Sequence, residues 1–448
     1  MGQSSTGEGG AVGSVTEAGP ALAGGRRLQE DPARAAFREG FRAWLRRTLP
    51  EGWMAAVETG DDETLEDVRG GIDFLTWPGI IGPSGYGAPL WPREYGGLSG
   101  EAWTVGVVRD ELSRWRLPQF GLNLLGVGMA GPTLIEHGTD DQRRRHLPRI
   151  LSGEEIWCQL FSEPGAGSDL ASLSTRAVRH GEAWVVDGQK VWTTIAQVAH
   201  YGMLLVRTDP DVPKHEGLTY LICDLHAAGV EVRPLRQMTG AAEFNEVFLS
   251  EVNEVFLSEV VVPDTQRVGG VGDGWRVART TLMNERVALA GVTLDPAALF
   301  GGRPRDPWRS YLERVPTPDD PVVRDRLARV YLEARLKEVT AARAEAARSA
   351  GRRPGPEGGV GKVANAEHAR RRGEVAVDAA GARGIARLPG DDGAEGREQA
   401  FLRSRAATIE GGTSEVLRNQ IGEAVLGLPR EPEVDKGVPW RQIRRSSP

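Results

Sequence analysis

Residues 157–194 (WCQLFSEPGAGSDLASLSTRAVRHGEAWVVDGQKVWTT) constrain the fold of this chain more than any other segment. An apolar, strand-like stretch leads directly into a turn of small and polar residues at 162–169. Because glycine tolerates positive φ and close approach, such a turn can present backbone N–H groups and hydroxyls to a ligand. A second stretch, residues 188–194 (GQKVWTT), places one large aromatic beside two hydroxyls. Together, the turn and the aromatic stretch indicate a binding site for a flat heterocycle with hydrogen-bonding edges. The alternative interpretation is that the turn only reverses the direction of the chain.

The hydrophobic periodicity changes twice along the chain. Runs at helical spacing come first, at 31–49, 101–115 and 126–151. After Trp157 the period becomes two, with turns predicted at 180–181 and 187–188. The strand-like pattern continues to residue 262, and the helical pattern returns from Trp275. This order of helices, strands and helices predicts an α+β fold.

Composition excludes several classes of function. A chain of 448 residues allows two or three packed regions, and 55 basic against 62 acidic residues give no hint of a nucleic-acid surface. The two cysteines, Cys158 and Cys223, form neither a disulfide framework nor a metal-ligand pattern. No apolar run approaches the ~20 residues that a membrane span needs. Residues 1–27 lack the features of a signal peptide, so we expect a disordered extension or a misassigned start codon, and a cytoplasmic protein.

One carboxylate interrupts the apolar face of the helix that begins near Trp275. Spacings of three and four place six residues on that face: Trp275, Ala278, Leu282, Glu285, Leu289 and Val292. Glu285 has no oppositely charged residue three or four positions away in its own helix. Burial among apolar groups raises the pKa of a carboxylate, which suits a general base near neutral pH. A structural glutamate paired with an arginine of another segment is the alternative, and periodicity by itself favours it.

An exact tandem repeat lies in the strand-rich region, where residues 245–252 (NEVFLSEV) recur as residues 253–260. Because eight is an even number, the alternation of side chains is preserved across the two copies. The additional copy adds about 26 Å of extended chain at ~3.3 Å per residue. A lengthened hairpin, a recent duplication and a sequence error are all open, and we expect that removing one copy leaves folding intact or improves it.

Several blocks of sequence, in this order and spacing, resemble the acyl-CoA dehydrogenase family. Besides the two stretches above, they are residues 91–97 (WPREYGG), 137–139 (HGT) near Gln142, 244–247 (FNEV) and 409–418 (IEGGTSEVLR). The resemblance spans roughly residues 30 to 430. It implies an N-terminal helical domain, a central β-barrel and a C-terminal four-helix bundle. The boundaries we expect are a disordered extension at 1–27, helices at 28–155, a barrel at 156–270 that includes the repeat at 245–260, a bundle at 271–430 and a tail at 431–448.

The resemblance also implies a reaction, the FAD-dependent α,β-dehydrogenation of an acyl-CoA thioester to the trans-2-enoyl-CoA. In most of these enzymes the base that removes the α-proton stands beside the Gly-Thr of the C-terminal block. Here Gly411, which has no side chain, occupies that position. Gly411 therefore marks room for a branched or bulky acyl group in the substrate site. Glu410, one residue earlier, is the alternative base.

Isovaleryl-CoA and long-chain dehydrogenases hold their base on an earlier helix, in a Glu-Arg pair followed by Ala-Gly. The pair Glu285-Arg286, followed by Ala290 and Gly291, matches that arrangement. The resemblance therefore implies that Glu285 is the catalytic base. It also implies that Arg286 binds the phosphate region of CoA, whereas a solvated helix arginine is the alternative.

Roles for the remaining motif residues follow from the same resemblance. The residues expected to bind FAD are Gln159, Leu160, Phe161 and Ser162 at the ring, Trp192 beside it, Thr194 near N5, and Thr413 and Glu415 at the ribityl or adenosine part. Ser168 is expected to hydrogen-bond the acyl-CoA. No metal is implied.

Two blocks of the family are missing here. The region of the Arg-x-x-Phe-Gly block holds residues 300–307 (FGGRPRDP), and the Gln-x-x-Gly-Gly block is replaced by residues 378–384 (DAAGARG). Both departures resemble a divergent bacterial branch, some of whose members are pairs of unlike subunits that act on bulky substrates such as steroid side chains. We therefore expect a homodimer or tetramer, or a heterotetramer, with an electron-transfer flavoprotein as the acceptor. A catalytically silent or partner-dependent subunit and a flavin monooxygenase-type relative are the alternatives.

Overall fold

The computed structural model describes residues 31–118, 123–239, 252–290, 319–349, 358–386, 394–432 and 435–443. Several expectations lie outside these residues: the N-terminal extension, the block at 244–247, the first seven residues of the repeat, Gly291 and Val292 after the Glu285 helix, and the segment 300–307. Both cysteines are buried and free. Among the described helices, none combines the length and the apolar composition needed to cross a bilayer.

The N-terminal region is helical, as its periodicity predicts. Its helices are α1 (Pro32–Thr48), α2 (Trp53–Thr59), α3 (Asp62–Val68), α4 (Trp77–Ile81), α5 (Trp103–Arg114), α6 (Gly131–His137) and α7 (Asp140–Ser152). The Asp31 carboxylate accepts a hydrogen bond from the N–H of Ala33, so α1 begins with a capped end followed by a proline. Large aromatic side chains fill the core between α1, α2, α4 and α5: Phe41, Trp53, Trp77 and Trp115.

The central region is an eight-stranded mixed sheet. Its strands are β1 (Trp157–Leu160), β2 (Arg176–His180), β3 (Ala183–Thr194), β4 (Tyr201–Arg207), β5 (Leu218–Asp224), β6 (Val230–Pro234), β7 (Val252–Pro263) and β8 (Arg267–Val268). The strand order is β6-β7-β3-β2-β4-β5-β8, and β1 pairs in parallel with β4. Side chains of β7, such as Val255, share one buried cluster with Leu204 of β4 and Leu221 of β5. One face of the sheet therefore encloses a shared core, which agrees with the expected barrel-like domain, and the other face of β4 and β5 packs in a second cluster with the helices.

One predicted turn is wrong. Strand β3 continues through Asp187 and Gly188, and only its register against β7 shifts there. The Asp187 carboxylate accepts the N–H of Glu259 at 2.9 Å, which satisfies a backbone donor at the irregularity. A Cβ at Gly188 would lie 2.4 Å from the Thr175 hydroxyl, so glycine serves close packing here rather than chain reversal. The turn predicted at 180–181 does join β2 to β3, with Gly181 at φ +59°.

The second copy of the repeat supplies the inner part of strand β7. Asn253 pairs with Thr193 of β3, and its side-chain amide donates to the Thr193 carbonyl at 3.1 Å. Val255 pairs with Lys190 and is completely buried. Residues 253–260, the second copy, therefore fill these ladder positions.

The C-terminal region is helical again. Its helices are α8 (Gly274–Ala290), α9 (Pro321–Ser349), α10 (Gly358–Ala379), α11 (Ala382–Ile385), α12 (Ala394–Ala407) and α13 (Ser414–Ala424). Helix α10 packs against α8, α9, α12 and α13, so it lies at the centre of the bundle. Residues 435–443, within the segment expected to be a tail, pack against the sheet through the buried Trp440.

A pair of matched substitutions tests which copy of the repeat forms the strand. We expect Val255→Asp to unfold the protein or to cost about 4 kcal/mol, because it buries an unpaired charge in the sheet core. The same change in the first copy, Val247→Asp, should leave the melting temperature near that of the parent. Thermal unfolding followed by circular dichroism measures both variants. Equal damage from the two changes, or damage from Val247→Asp alone, would contradict this assignment.

Candidate functional site

The turn that follows β1 is closed by its own backbone. Glu163 and Ala166 exchange two N–H to carbonyl hydrogen bonds of 3.0 Å each. The Glu163 carboxylate then accepts the N–H groups of Ser174 and Thr175, at 2.6 and 2.8 Å. The turn is thereby tied to the chain that enters β2. A Cβ at Gly165 or at Gly167 would meet no atom within 4 Å, so the outer side of the turn is open.

Lys190 holds this turn against the sheet. Its side chain is completely buried, and its ammonium donates to the Glu163 carboxylate at 2.8 Å, the Phe161 carbonyl at 3.1 Å and the Leu205 carbonyl at 2.8 Å. All three ammonium donors therefore have acceptors. Burial by itself would raise the pKa of Glu163, but the Lys190 charge and the N–H donors outweigh it and keep that pKa below its usual value. Neither Glu163 nor Lys190 was predicted as a site residue from sequence, although both lie inside the two motif stretches.

Trp192 lies at an irregularity of β3 directly beside the turn. The register against β7 shifts between Lys190 and Thr193, and Trp192 adopts φ +61°. A bulky residue rarely adopts positive φ, so the surrounding contacts must stabilise this conformation. The N–H of Val191 donates to the Ser162 carbonyl at 2.9 Å, which joins the bulge to the turn. As a result, 61% of the Trp192 surface is exposed beside the open turn.

These features fit a flavin. The exposed Trp192 ring offers a flat surface. Two partly exposed residues with hydroxyls are near it: Thr194 follows two positions later in β3, and Ser162 accepts the N–H of Val191 through its carbonyl. The side chains of Leu160 and Phe161 are buried in the cores, so a cofactor contact from either would come from the backbone. Ser168 is exposed at the far end of the turn, where a substrate could reach it.

Helix α8 brings Glu285 to this region. The Gln159 side-chain amide donates to the Glu285 carboxylate at 3.5 Å, so the predicted base lies beside a predicted flavin residue. One turn earlier in α8, the hydroxyl of Thr281 shares hydrogen bonds with Thr133 at 2.9 Å and with Tyr220 at 3.2 Å. These buried contacts fix α8 against α6 and β5. The side chain of Arg286 lies outside the described part of the chain.

The C-terminal motif forms a capped helix start. Gly411 and Gly412 both have positive φ, at +63° and +93°, and the Thr413 hydroxyl accepts the N–H of Val416 at 3.2 Å. Glu415 lies in the first turn of α13. The Glu410 side chain is 45% exposed and accepts a hydrogen bond from Arg403 at 2.8 Å. The alternative base is therefore engaged by an arginine at the surface of the bundle.

Lys362 of α10 lies between the C-terminal motif and Glu285 of α8, and it interacts with both. Its ammonium donates to the Gly412 carbonyl at 2.5 Å. Burial lowers the pKa of Lys362, and the charges of Glu410, Glu415 and Glu285 act in the opposite direction. The charge of this lysine thus acts on both candidate bases. Lys362 was not predicted from sequence, because a lysine in a helix carries no local sign of such a role. No group of side chains able to hold a metal ion occurs within the described residues.

Comparison with known proteins gives one consistent result. The chain matches three family descriptions in order: "Acyl-CoA dehydrogenase, N-terminal domain" at 32–154, "middle domain" at 158–252 and "C-terminal domain" at 272–426. It is 40% identical to acyl-CoA dehydrogenase FadE34 of Mycobacterium tuberculosis over 350 residues, which are 78% of this chain and 46% of that protein. It is 37% identical to acyl-CoA dehydrogenase IpdE1 of the same organism over 400 residues, which are 88% of this chain and 98% of that protein. The chain thus spans about half of the first relative and nearly all of the second.

Solved structures agree with the sequence relatives. The structure of the "Tcur3481-Tcur3483 steroid ACAD" is similar with a TM-score of 0.67 and 31% identity, over 91% of this chain and all of that one. The ChsE4-ChsE5 complex from Mycobacterium tuberculosis is similar with a TM-score of 0.66 and 29% identity, over 91% of this chain and 100% of that chain. Both comparisons extend over the helical, sheet and bundle regions together.

Removal of the buried lysine tests how the site is held. We expect Lys190→Met to cost about 3–5 kcal/mol of unfolding free energy, because it leaves the Glu163 carboxylate buried without its cation. Urea unfolding at neutral pH measures this loss. Because the folded-state pKa of Glu163 is lowered, the stabilisation is present above the usual pKa of a carboxyl group and disappears as the pH falls through the lowered value.

The double variant Glu163→Gln/Lys190→Met is the control for that measurement. It should cost less than the sum of the two single changes, since it leaves no unpaired charge. A Lys190→Met protein as stable as the parent would show that the pair does not hold the turn.

Proposed function

The chain belongs to the acyl-CoA dehydrogenase family, and we propose that it dehydrogenates a bulky acyl-CoA thioester with Glu285 as the catalytic base. Enzymes of this family are FAD-dependent oxidoreductases. FAD, when bound, accepts the hydrogen from the β-carbon as hydride. The observation that carries the proposal is the contact between Glu285 and Gln159 at 3.5 Å. Glu285 is the acidic residue on the predicted apolar face of α8, and Gln159 lies in β1, the strand that leads into the turn at 162–169. In this proposal that turn faces the flavin.

In this proposal separate residues bind the cofactor, bind the substrate and remove the proton. Ser162, Trp192 and Thr194 bind and orient the isoalloxazine ring, while Thr413 and Glu415 bind the ribityl or adenosine part. Glu285 takes the α-proton of the thioester, and the product is the trans-2-enoyl-CoA. An α-proton next to a thioester is weakly acidic, so its removal requires hydrogen bonds to the thioester oxygen in a site that excludes water. Ser168 binds the acyl-CoA, and Arg286 binds its phosphates.

The surroundings of the two glutamates favour Glu285 over Glu410. Arg403 binds the Glu410 carboxylate at 2.8 Å, so proton transfer to Glu410 would require this exposed ion pair to break. The positive charge of Lys362 acts on both carboxylates, so it does not distinguish the two candidates.

A bulky acyl group is the substrate class that best fits the family comparison and the motif. Gly411 leaves the usual base position without a side chain. One similar structure is described as a steroid enzyme of this family, and by analogy we propose a steroid-derived or similarly large acyl-CoA here. A panel of acyl-CoA thioesters of increasing size tests this choice of substrate class.

A second subunit is part of the proposal. Helix α9 exposes Leu332, Leu336 and Val339 at spacings of four and three, which form an apolar stripe along one face. Exposed apolar stripes of this kind are typical of subunit interfaces. One similar structure is a complex of two proteins, ChsE4 and ChsE5. We therefore propose a dimer or tetramer, of like or unlike subunits. A protein that retains no FAD when it is produced alone would favour the partner-dependent alternative.

Two matched substitutions distinguish the candidate bases. We expect Glu285→Gln to retain FAD and to lower turnover by about 10²–10⁴-fold, because the proton acceptor is lost while the shape is kept. Glu410→Gln, the same change at an exposed site, should leave turnover near that of the parent. Steady-state rates with an artificial electron acceptor, together with the ratio of flavin to protein, measure both effects. Near-normal turnover of Glu285→Gln, or a large loss in Glu410→Gln alone, would reject Glu285.

A further inference from the structure

Residues 435–443, here named the C-terminal clasp, return from the bundle to the sheet. The N–H of Trp440 donates to the Val212 carbonyl at 2.9 Å, and the N–H of Arg441 donates to the Pro210 carbonyl at 3.0 Å. Pro439 forms an antiparallel bridge with Pro213. The clasp is therefore fixed by backbone hydrogen bonds to the loop between β4 and β5, and it does not lie loosely on the surface.

Trp440 is the centre of the clasp. Only 9% of its surface is exposed, and its indole N–H donates to the Ser172 carbonyl at 3.3 Å. The guanidinium of Arg207 lies 4.4 Å from the centre of the Trp440 ring, within the range of a cation–π contact. The Trp440 indole thus contacts the segment after the site turn directly, through Ser172. It also covers Arg207, a second residue that binds this segment.

Arg207 is that second residue. It is almost completely buried, and its guanidinium donates to the carbonyls of Ala171 at 2.5 Å and Leu173 at 3.2 Å. A third donor reaches the Lys214 carbonyl at 3.1 Å. Because Trp440 covers the guanidinium, removing the indole would admit water to these hydrogen bonds, and water competes for their donors and acceptors.

The other end of the clasp acts on the same segment. The Lys214 ammonium contacts the Asp435 carboxylate at 2.6 Å and both oxygens of Asp169 at 3.0 Å. Asp169 also accepts a hydrogen bond from the hydroxyl of Ser172 at 2.5 Å. The clasp therefore acts at both ends of residues 169–173, and this segment begins immediately after Ser168.

We propose that the clasp positions the segment 168–173 for acyl-CoA binding, with Trp440 as the positioning residue. The inference rests on the proposed function, because it takes Ser168 as a contact of the substrate. The open space around Gly165 and Gly167 leaves the turn without side-chain support on its outer side. Beyond Gly167, the buried side chains of Leu170, Ala171 and Leu173 fix the apolar side of the segment. Its carbonyl groups and the Asp169 carboxylate are fixed by contacts from residues 207, 214 and 440. Trp440 acts through these contacts and does not touch the reacting atoms.

The first experiment measures kinetics of the full-length protein. We expect Trp440→Ala to raise the KM for acyl-CoA by about tenfold while kcat and the FAD content stay near those of the parent. Trp440→Phe, which keeps a ring over Arg207, should restore most of the affinity. Arg441→Ala is the matched control in the clasp, because its exposed side chain binds only Asp211 among the described residues. An unchanged KM in Trp440→Ala would overturn the proposal, as would an equal rise in Arg441→Ala.

The second experiment requires no turnover. Amide hydrogen exchange of the purified full-length protein should become faster in residues 169–173 of Trp440→Ala, and protection should stay unchanged in α1 and β7. If exchange in 169–173 stays at the parent rate, the clasp does not hold the segment, whatever the protein catalyses. If exchange rises but the parent protein oxidises no acyl-CoA, the structural basis of the clasp is supported and the assigned substrate role of the segment fails together with the proposed function.

Discussion

The contact between the Lys190 ammonium and the Glu163 carboxylate organises the candidate site. The Lys190 ammonium donates to the Glu163 carboxylate and to two backbone carbonyls, and its side chain is completely buried. The carboxylate also accepts two backbone N–H groups. Removing one partner of a buried ion pair is costly because it leaves the other charge unpaired, and every ammonium donor of this pair has an acceptor. The pair fixes β1, β3 and β4 at one point and leaves the outer side of the turn open. Gln159, which contacts Glu285, lies in β1, and the exposed Trp192 lies in β3 two residues after Lys190, so both residues lie on strands that the pair holds together.

Strain at Trp192 is consistent with a site formed by this framework. A bulky residue at positive φ costs on the order of 1–3 kcal/mol, and such residues cluster where a ligand binds. The hydrogen bond from Val191 to Ser162 and the buried Lys190, two residues earlier in β3, offset that cost. Glu285 and Lys362 come from a different region, the helical bundle, and reach the same place because α8 and α10 pack together. The proposed chemistry therefore depends on a junction of sheet and bundle.

Local patterns predicted the elements well and their long-range contacts poorly. Alternation and turn residues identified the hairpin of β2 and β3, because Gly181 is needed there for chain reversal. The same kind of dipeptide at 187–188 was misassigned, since a turn and a bulge require the same local freedom and only the partner strand distinguishes them. Two identical copies of an octapeptide cannot be ranked by sequence at all. Lys362 and Trp440 bind residues that are 50 and 268 positions away in the chain, a separation at which periodicity carries no information.

The visible spectrum of the purified, FAD-loaded protein, followed during anaerobic addition of a panel of acyl-CoA thioesters, decides whether this site dehydrogenates acyl-CoA. The panel extends from isovaleryl-CoA to steroid-derived thioesters. We expect the yellow colour to be lost with at least one bulky member, and mass spectrometry to detect the corresponding enoyl-CoA, which is two hydrogens lighter than the substrate. A protein that binds FAD and remains yellow with every member would contradict the proposed dehydrogenation.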